Sequence, residues 1–126
     1  MEKRAIREAE CWFKCAERSL EISEYKERFT VAVAQAIHSL IRANDALTLK
    51  YLRRRAARHE QAITLFQELI RQNKIPSEES KVGDILVRAI YEKSDYDYRG
   101  GYASKADAEK WIYEAKKFLA MARKYV

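Results

Sequence analysis

Phe29-Thr30-Val31-Ala32-Val33-Ala34-Gln35-Ala36-Ile37-His38-Ser39-Leu40-Ile41-Arg42-Ala43-Asn44-Asp45-Ala46-Leu47-Thr48-Leu49-Lys50-Tyr51-Leu52 decides the fold. Wound as a helix, this stretch is apolar on most of its sides. A helix of that kind belongs at the centre of a bundle, so other helices must surround it. The chain before it supplies one: Ala5, Ile6, Ala9, Phe13, Ala16 and Leu20 fall on one helical face between residue 3 and about residue 24. Glu24 to Arg28 breaks that stripe and reads as a short connection or kink.

Downstream, a third helix is expected from about Ala56 to Asn73, with its stripe on Ile63, Phe66, Leu69 and Ile70. Extending the stripe one turn backwards turns His59 inward. Gln72 to Ser77, with Pro76 and a candidate Ser77 N-cap, punctuates the chain before a fourth helix carrying Val82, Ile85, Leu86, Ala89 and Ile90. That helix is expected to fray into Ser94–Tyr102. Ser104 and Asp107 resemble a capping box for a last helix that packs Ala108, Trp111, Ile112, Ala115, Phe118, Leu119 and Ala122. With only three Gly and one Pro in 126 residues, helix is favoured nearly everywhere. The reading is an all-α, single-domain up-and-down bundle of four to five helices spanning residues 1–126. Ile37, Leu40, Ile41, Leu47, Ile63, Phe66, Ile85, Leu86, Trp111, Phe118 and Leu119 are expected in its core.

The formal net charge of +6 comes from 25 basic against 19 acidic residues, a balance that permits an acidic or nucleic-acid partner without demanding one. No apolar run approaches the roughly 20 residues of a membrane span, and Met1-Glu2-Lys3-Arg4 leads into a charged helix, so the expected setting is soluble and cytoplasmic. Cys11 and Cys15, four apart on one helix, do not face each other for a disulfide and make an incomplete zinc set; they are expected as small core residues. No metal or cofactor is expected. His38 reads as an ordinary packed or surface histidine.

Function is sought at the junction Lys50-Tyr51-Leu52-Arg53-Arg54-Arg55-Ala56-Ala57-Arg58-His59. Arginine offers a permanent planar charge suited to phosphate, and histidine exchanges protons near neutral pH. The competing reading is that these cations offset the negative end of a helix macrodipole. Asn44 and Asp45 interrupt the apolar surround of the central helix and need partners there. They either satisfy a neighbouring backbone or Arg, the favoured reading, or orient an Arg or His of the site. Tyr96, Tyr98 and Tyr102 could stack bases with Arg99 holding a phosphate, but they read more readily as packing at the end of the bundle.

The first amphipathic helix, the Ala43-Asn44-Asp45-Ala46-Leu47 ending, the Arg run leading to His59, the Asp95-Tyr96-Asp97-Tyr98 segment and Ala106-Asp107-Ala108-Glu109 together resemble the HEPN family of small prokaryotic helical bundles. The resemblance covers nearly the whole chain. It implies an Arg, four to six residues, then His, used by active members as a metal-independent endoribonuclease site at a homodimer interface. Arg54 and His59 carry that spacing, as do Arg53 and His59. On a continuous helix, residues five apart point about 140° from each other, so Arg54 shares a site with His59 only from a non-helical turn. Arg55 and Arg53 are the substitutes. His59 would move the proton of an attacking 2′-hydroxyl and Arg54 would offset phosphoryl charge, with Lys50, Arg53, Arg55 and Arg58 binding the nucleic acid. Toxins of the nucleotidyltransferase-paired branch carry a Tyr two residues after the His, where this chain has Gln61. The alternative is a non-catalytic module that binds RNA or a nucleotide, or that dimerises and pairs with a nucleotidyltransferase.

Overall fold

The computed structural model describes the backbone of residues 1–97 and 101–126, and the side chains of these except 94–97. Its elements are α1 (Glu2–Ser19), α2 (Glu27–Leu52), α3 (His59–Arg71), α4 (Ser80–Asp97) and α5 (Lys105–Tyr125), with a 3-10 turn at Ser77–Glu79 and no strand among the described residues. The all-α bundle read from periodicity is the observed architecture. α2 packs against every other helix, and Val33, Ile37, Leu40, Ala43 and Leu47 along it are fully buried.

Small residues bring α1 close to α2: Ala5, Ala9 and Ala16 face Ala32, Ala36 and Ala43, all buried. The distance between packed helices is set by the side chains between them. At this close approach the Ser39 hydroxyl reaches across and donates to the Ala9 carbonyl at 2.8 Å. The pairings Ser19–Gln35, Ala9–Ser39 and Glu8–Arg42 run in opposite chain senses, so α1 and α2 are antiparallel. Thr30 meets Ala103 and Tyr51 meets Tyr125, which makes α5 parallel to α2. The Trp111–Glu92 hydrogen bond and the Lys124–Glu79 ion pair make α4 antiparallel to α5. The four longest helices therefore alternate in direction, and the short α3 is inserted between α2 and α4.

Several expectations need correction. Cys11 and Cys15 are exposed, because α1 buries Ala5, Ile6, Ala9, Phe13 and Ala16 and the two thiols lie off that stripe. α3 begins at His59 rather than Ala56, and it buries Ala62, Leu65, Phe66 and Leu69. Ile63 and Ile70 are only half-buried, and His59 is exposed rather than turned inward. The face is rotated because the buried Asn44 amide donates to the Ala62 carbonyl at 3.2 Å and turns that side of the first turn towards α2. α4 continues as helix to Asp97 instead of fraying at Ser94. Ser77 opens the 3-10 turn with no side-chain cap, whereas the Ser104–Asp107 capping box forms in both directions, at 2.9 and 3.1 Å. Tyr102 is exposed rather than packed. The Tyr96 side chain, Tyr98 and Arg99 lie outside the described residues. No described helix is long and apolar enough to cross a membrane.

Candidate nucleic-acid interface

The bridge from α2 to α3 is built by how α2 ends. Arg53 takes a left-handed backbone, with φ of 58°, and the Arg54 amide reaches back to the Thr48 carbonyl at 3.4 Å. This is the geometry in which glycine usually closes a helix. In a side chain with a Cβ it costs about 1–2 kcal/mol. Asn73 does the same after α3, with φ of 56°, but Asn tolerates this conformation far better. Arg53, with two further arginines after it, is thus a backbone outlier at the end of α2.

Arg54, Arg55 and Ala56 are non-helical, and α3 starts at His59. The condition that geometry placed on Arg54, a turn ahead of the helix, is met. Gln61 stabilises the start of α3: its side-chain oxygen accepts from the Ala57 amide at 2.8 Å and the Arg58 amide at 3.4 Å. A guanidinium has no acceptor, so Arg58 cannot complete the reciprocal cap. Gln61 thus has a structural task at the position where the toxin branch carries Tyr.

Arg53, Arg54 and Arg55 line one depression of about 520 Å³ together with Met1, Arg4, Arg42 and Leu49. Arg4 and Arg42 were not among the residues singled out from sequence. Both meet Glu8 at 2.9 Å, and Arg42 also meets Asp45 at 3.0 Å. Two cations and two carboxylates offset one another there, while Arg53, Arg54 and Arg55 form no ion pair with any described residue. A second depression of about 270 Å³ takes Arg54 and Arg55 with Gln61, Thr64 and Leu65. Exposed Arg58 and His59 line neither. Lys50 is turned elsewhere: its ammonium donates to the Tyr125 and Val126 carbonyls at 2.8 and 2.9 Å, closing the C-terminus of α5.

Asn44 and Asp45 find the kinds of partner favoured for them, a backbone carbonyl and an arginine. Asn44 ties the first turn of α3 to α2, leaving its Oδ1 buried without a protein partner. Asp45 orients Arg42. The side chains of Arg42 and Asp45 are only 17 % and 12 % exposed. Burial pushes the Asp45 pKa above its ordinary value, against the hydrogen bond from Arg42. Burial also works against the charge of Arg42, but Glu8 and then Asp45 outweigh it and hold its pKa up. Burial prevails at Asp45, because Arg42 draws on a second carboxylate and Asp45 has no second hydrogen-bonded cation.

His38 is a packed histidine, as expected from sequence. It stands one turn before Arg42 on α2, half-buried, edge-to-face on Trp12 with ring centroids 4.4 Å apart. Burial lowers its pKa below 6.5, reinforced by the positive charges of Lys93, His59 and Arg42 and opposed by Asp45. His38, Arg42 and Asp45 are spaced i, i+4, i+7, the repeat of one helix face. That spacing was the signal available in the sequence. Among the described residues no group of three or more His, Cys, Asp or Glu is placed to share a metal ion. Comparison of the chain with protein-family models and with curated proteins finds no match.

Proposed function

We propose that this chain is a HEPN-like domain that binds RNA through the arginine-lined depression between the start of α1, the end of α2 and the α2–α3 bridge. The observation that carries the reading is the convergence of Arg53, Arg54 and Arg55 on one concave surface, beside Arg4 and Arg42, whose charges are already met by Glu8 and Asp45. Three guanidinium groups without an ion pair among the described residues, gathered in a concavity, attract a phosphate backbone, and arginine holds phosphate oxygens in a planar fork. Arg53 shares this work from its strained backbone position.

Cleavage is the second reading, and one observation favours it: Arg54 lies in a non-helical turn and His59 is an exposed first residue of α3. In this mechanism His59 takes the proton from a 2′-hydroxyl as that oxygen attacks the adjacent phosphorus, the bond from phosphorus to the 5′-oxygen breaks to leave a 2′,3′-cyclic phosphate, the departing 5′-oxygen takes up a proton, and Arg54 offsets the charge on the phosphoryl oxygens. A homodimer would bring Arg54 of one protomer to His59 of the other. A nucleotide or a nucleotidyltransferase partner is the alternative occupant of the same surface.

The test incubates purified protein with labelled RNA and with its DNA counterpart, both in EDTA. RNA cleavage that disappears in His59→Ala, with binding retained, supports the mechanism. Binding without cleavage across varied RNAs leaves the binding module as the function. Absence of RNA binding at low salt overturns the proposal.

A further inference from the structure

The stripe of α2 that enters the arginine depression at Leu49 and Arg42 continues to His38. On α1, Arg4, Glu8 and Trp12 follow one another at i, i+4 and i+8; on antiparallel α2, Leu49, Arg42 and His38 line up opposite them. Glu8 meets Arg42 and Trp12 meets His38, so the two helices flank one seam, and the ion pairs of Arg42 with Glu8 and Asp45 lie between the arginine depression and His38. From Leu49 to His38 the seam runs eleven residues, about 16 Å along α2. At its far end a smaller depression of about 190 Å³ is lined by Trp12, Ala34, Gln35, His38 and Lys93.

The two tryptophans of the chain have opposite fates. Trp111 is 1 % exposed and donates from its indole to Glu92 at 2.7 Å, a structural ring. Trp12 is 39 % exposed. An indole left in water forfeits much of the burial that makes the residue stabilising, yet here His38 stands edge-to-face against it and fixes its orientation. An accessible aromatic surface near a cationic depression is what binds unpaired bases: phosphates follow the positive charge, and a base stacks on the ring whatever its identity.

We propose that Trp12, oriented by His38, is a stacking platform for an unpaired base, so that single-stranded RNA lying along the α1–α2 seam places its phosphates on the arginines and a base on the indole. The inference rests on the RNA-binding reading and narrows it. Duplex RNA offers no free base face, and a phosphate-only ligand has nothing to place on Trp12. His38 is a positioning residue here, acting through the indole.

Trp12 fluorescence tests the proposal directly. The probe is a short single-stranded deoxyadenylate oligomer, which lacks the 2′-hydroxyl and survives any cleavage activity; inorganic tripolyphosphate is the phosphate-only control. The oligomer should quench the emission, and Trp12→Phe should abolish the quenching, because Trp111 is buried. Tripolyphosphate should compete for binding without quenching. Trp12→Ala should weaken the oligomer about tenfold or more and leave tripolyphosphate unchanged, while Trp12→Phe keeps most of the affinity. His38→Ala should weaken the quenching at saturating oligomer.

Oligomer binding with no quenching and no loss in Trp12→Ala overturns the platform and leaves the arginine reading standing. Equal quenching by tripolyphosphate overturns the platform as well, since no base is then needed. Binding of neither probe overturns both readings.

Discussion

Replacing Arg53 and Arg55 together should change the salt dependence of RNA binding by a predictable amount. Arg53→Gly suits the left-handed backbone at that position, and Arg55 is exposed in a non-helical bridge, so the double variant Arg53→Gly, Arg55→Ala should fold normally. Arg4 and Arg42 are matched by Glu8 and Asp45, which leaves Arg53, Arg54 and Arg55 as the cations of the depression able to release counterions. With a slope of about −0.7 per phosphate neutralised on a single strand, three cations give a slope near −2. Raising salt from about 50 to 200 mM should then weaken the wild type about 20-fold and the double variant about 2.5-fold. Fluorescence anisotropy of a labelled single-stranded RNA, read at several salt concentrations, measures both slopes. An unchanged slope in the variant refutes the assignment of these arginines to phosphate. A wild-type slope near −3.5, as for five cations, refutes the argument that Glu8 and Asp45 occupy Arg4 and Arg42.

Leu47→Ala should cost about 2–5 kcal/mol in urea denaturation, because Leu47 is fully buried on the central helix and its removal leaves a cavity. A Cβ at Gly83 would lie 2.3 Å from Cε1 of Phe66, a ring that itself packs near Phe118. Gly83→Ala gains about 1 kcal/mol of helix propensity and loses about 1–3 kcal/mol to overpacking. The expected net loss becomes a net gain only if the ring swings freely into the groove between α3 and α4. For His38, the lowered pKa means that the folded protein holds its proton less firmly than the unfolded chain. Its contribution to stability is full above 6.5 and is lost as pH falls through the lower folded value. Denaturation midpoints should therefore drop from about pH 8 to about pH 5.5 more in the wild type than in His38→Gln; parallel profiles would contradict the burial assigned to the ring.

Sequence periodicity was enough for the bundle and for its central helix. Phe29–Leu52 is apolar around its circumference, and such a surface is removed from water only by neighbours on all sides. The Ser104–Asp107 cap was legible for a related reason: its chemistry is contained in four consecutive residues. The bridge was legible in part. The angle between residues five apart requires Arg54 to precede a helix, but where α3 begins depends on the Asn44–Ala62 hydrogen bond and on Gln61, which are contacts between and ahead of helices. The same contacts turned His59 outward, against the stripe drawn through Ile63 and Ile70. Arg4, Arg42, Trp12 and His38 joined the site only in three dimensions. The spacing of His38 and Arg42 on α2 was visible, but what brings them beside Trp12 and Arg4 is the antiparallel register of α1 on α2, set by alanines small enough to let the backbones approach. Burial likewise separated Trp12 from Trp111 and Cys11 from the core. A residue type states what a side chain could contribute, and the packing of the helices decides whether water, protein or a ligand receives it.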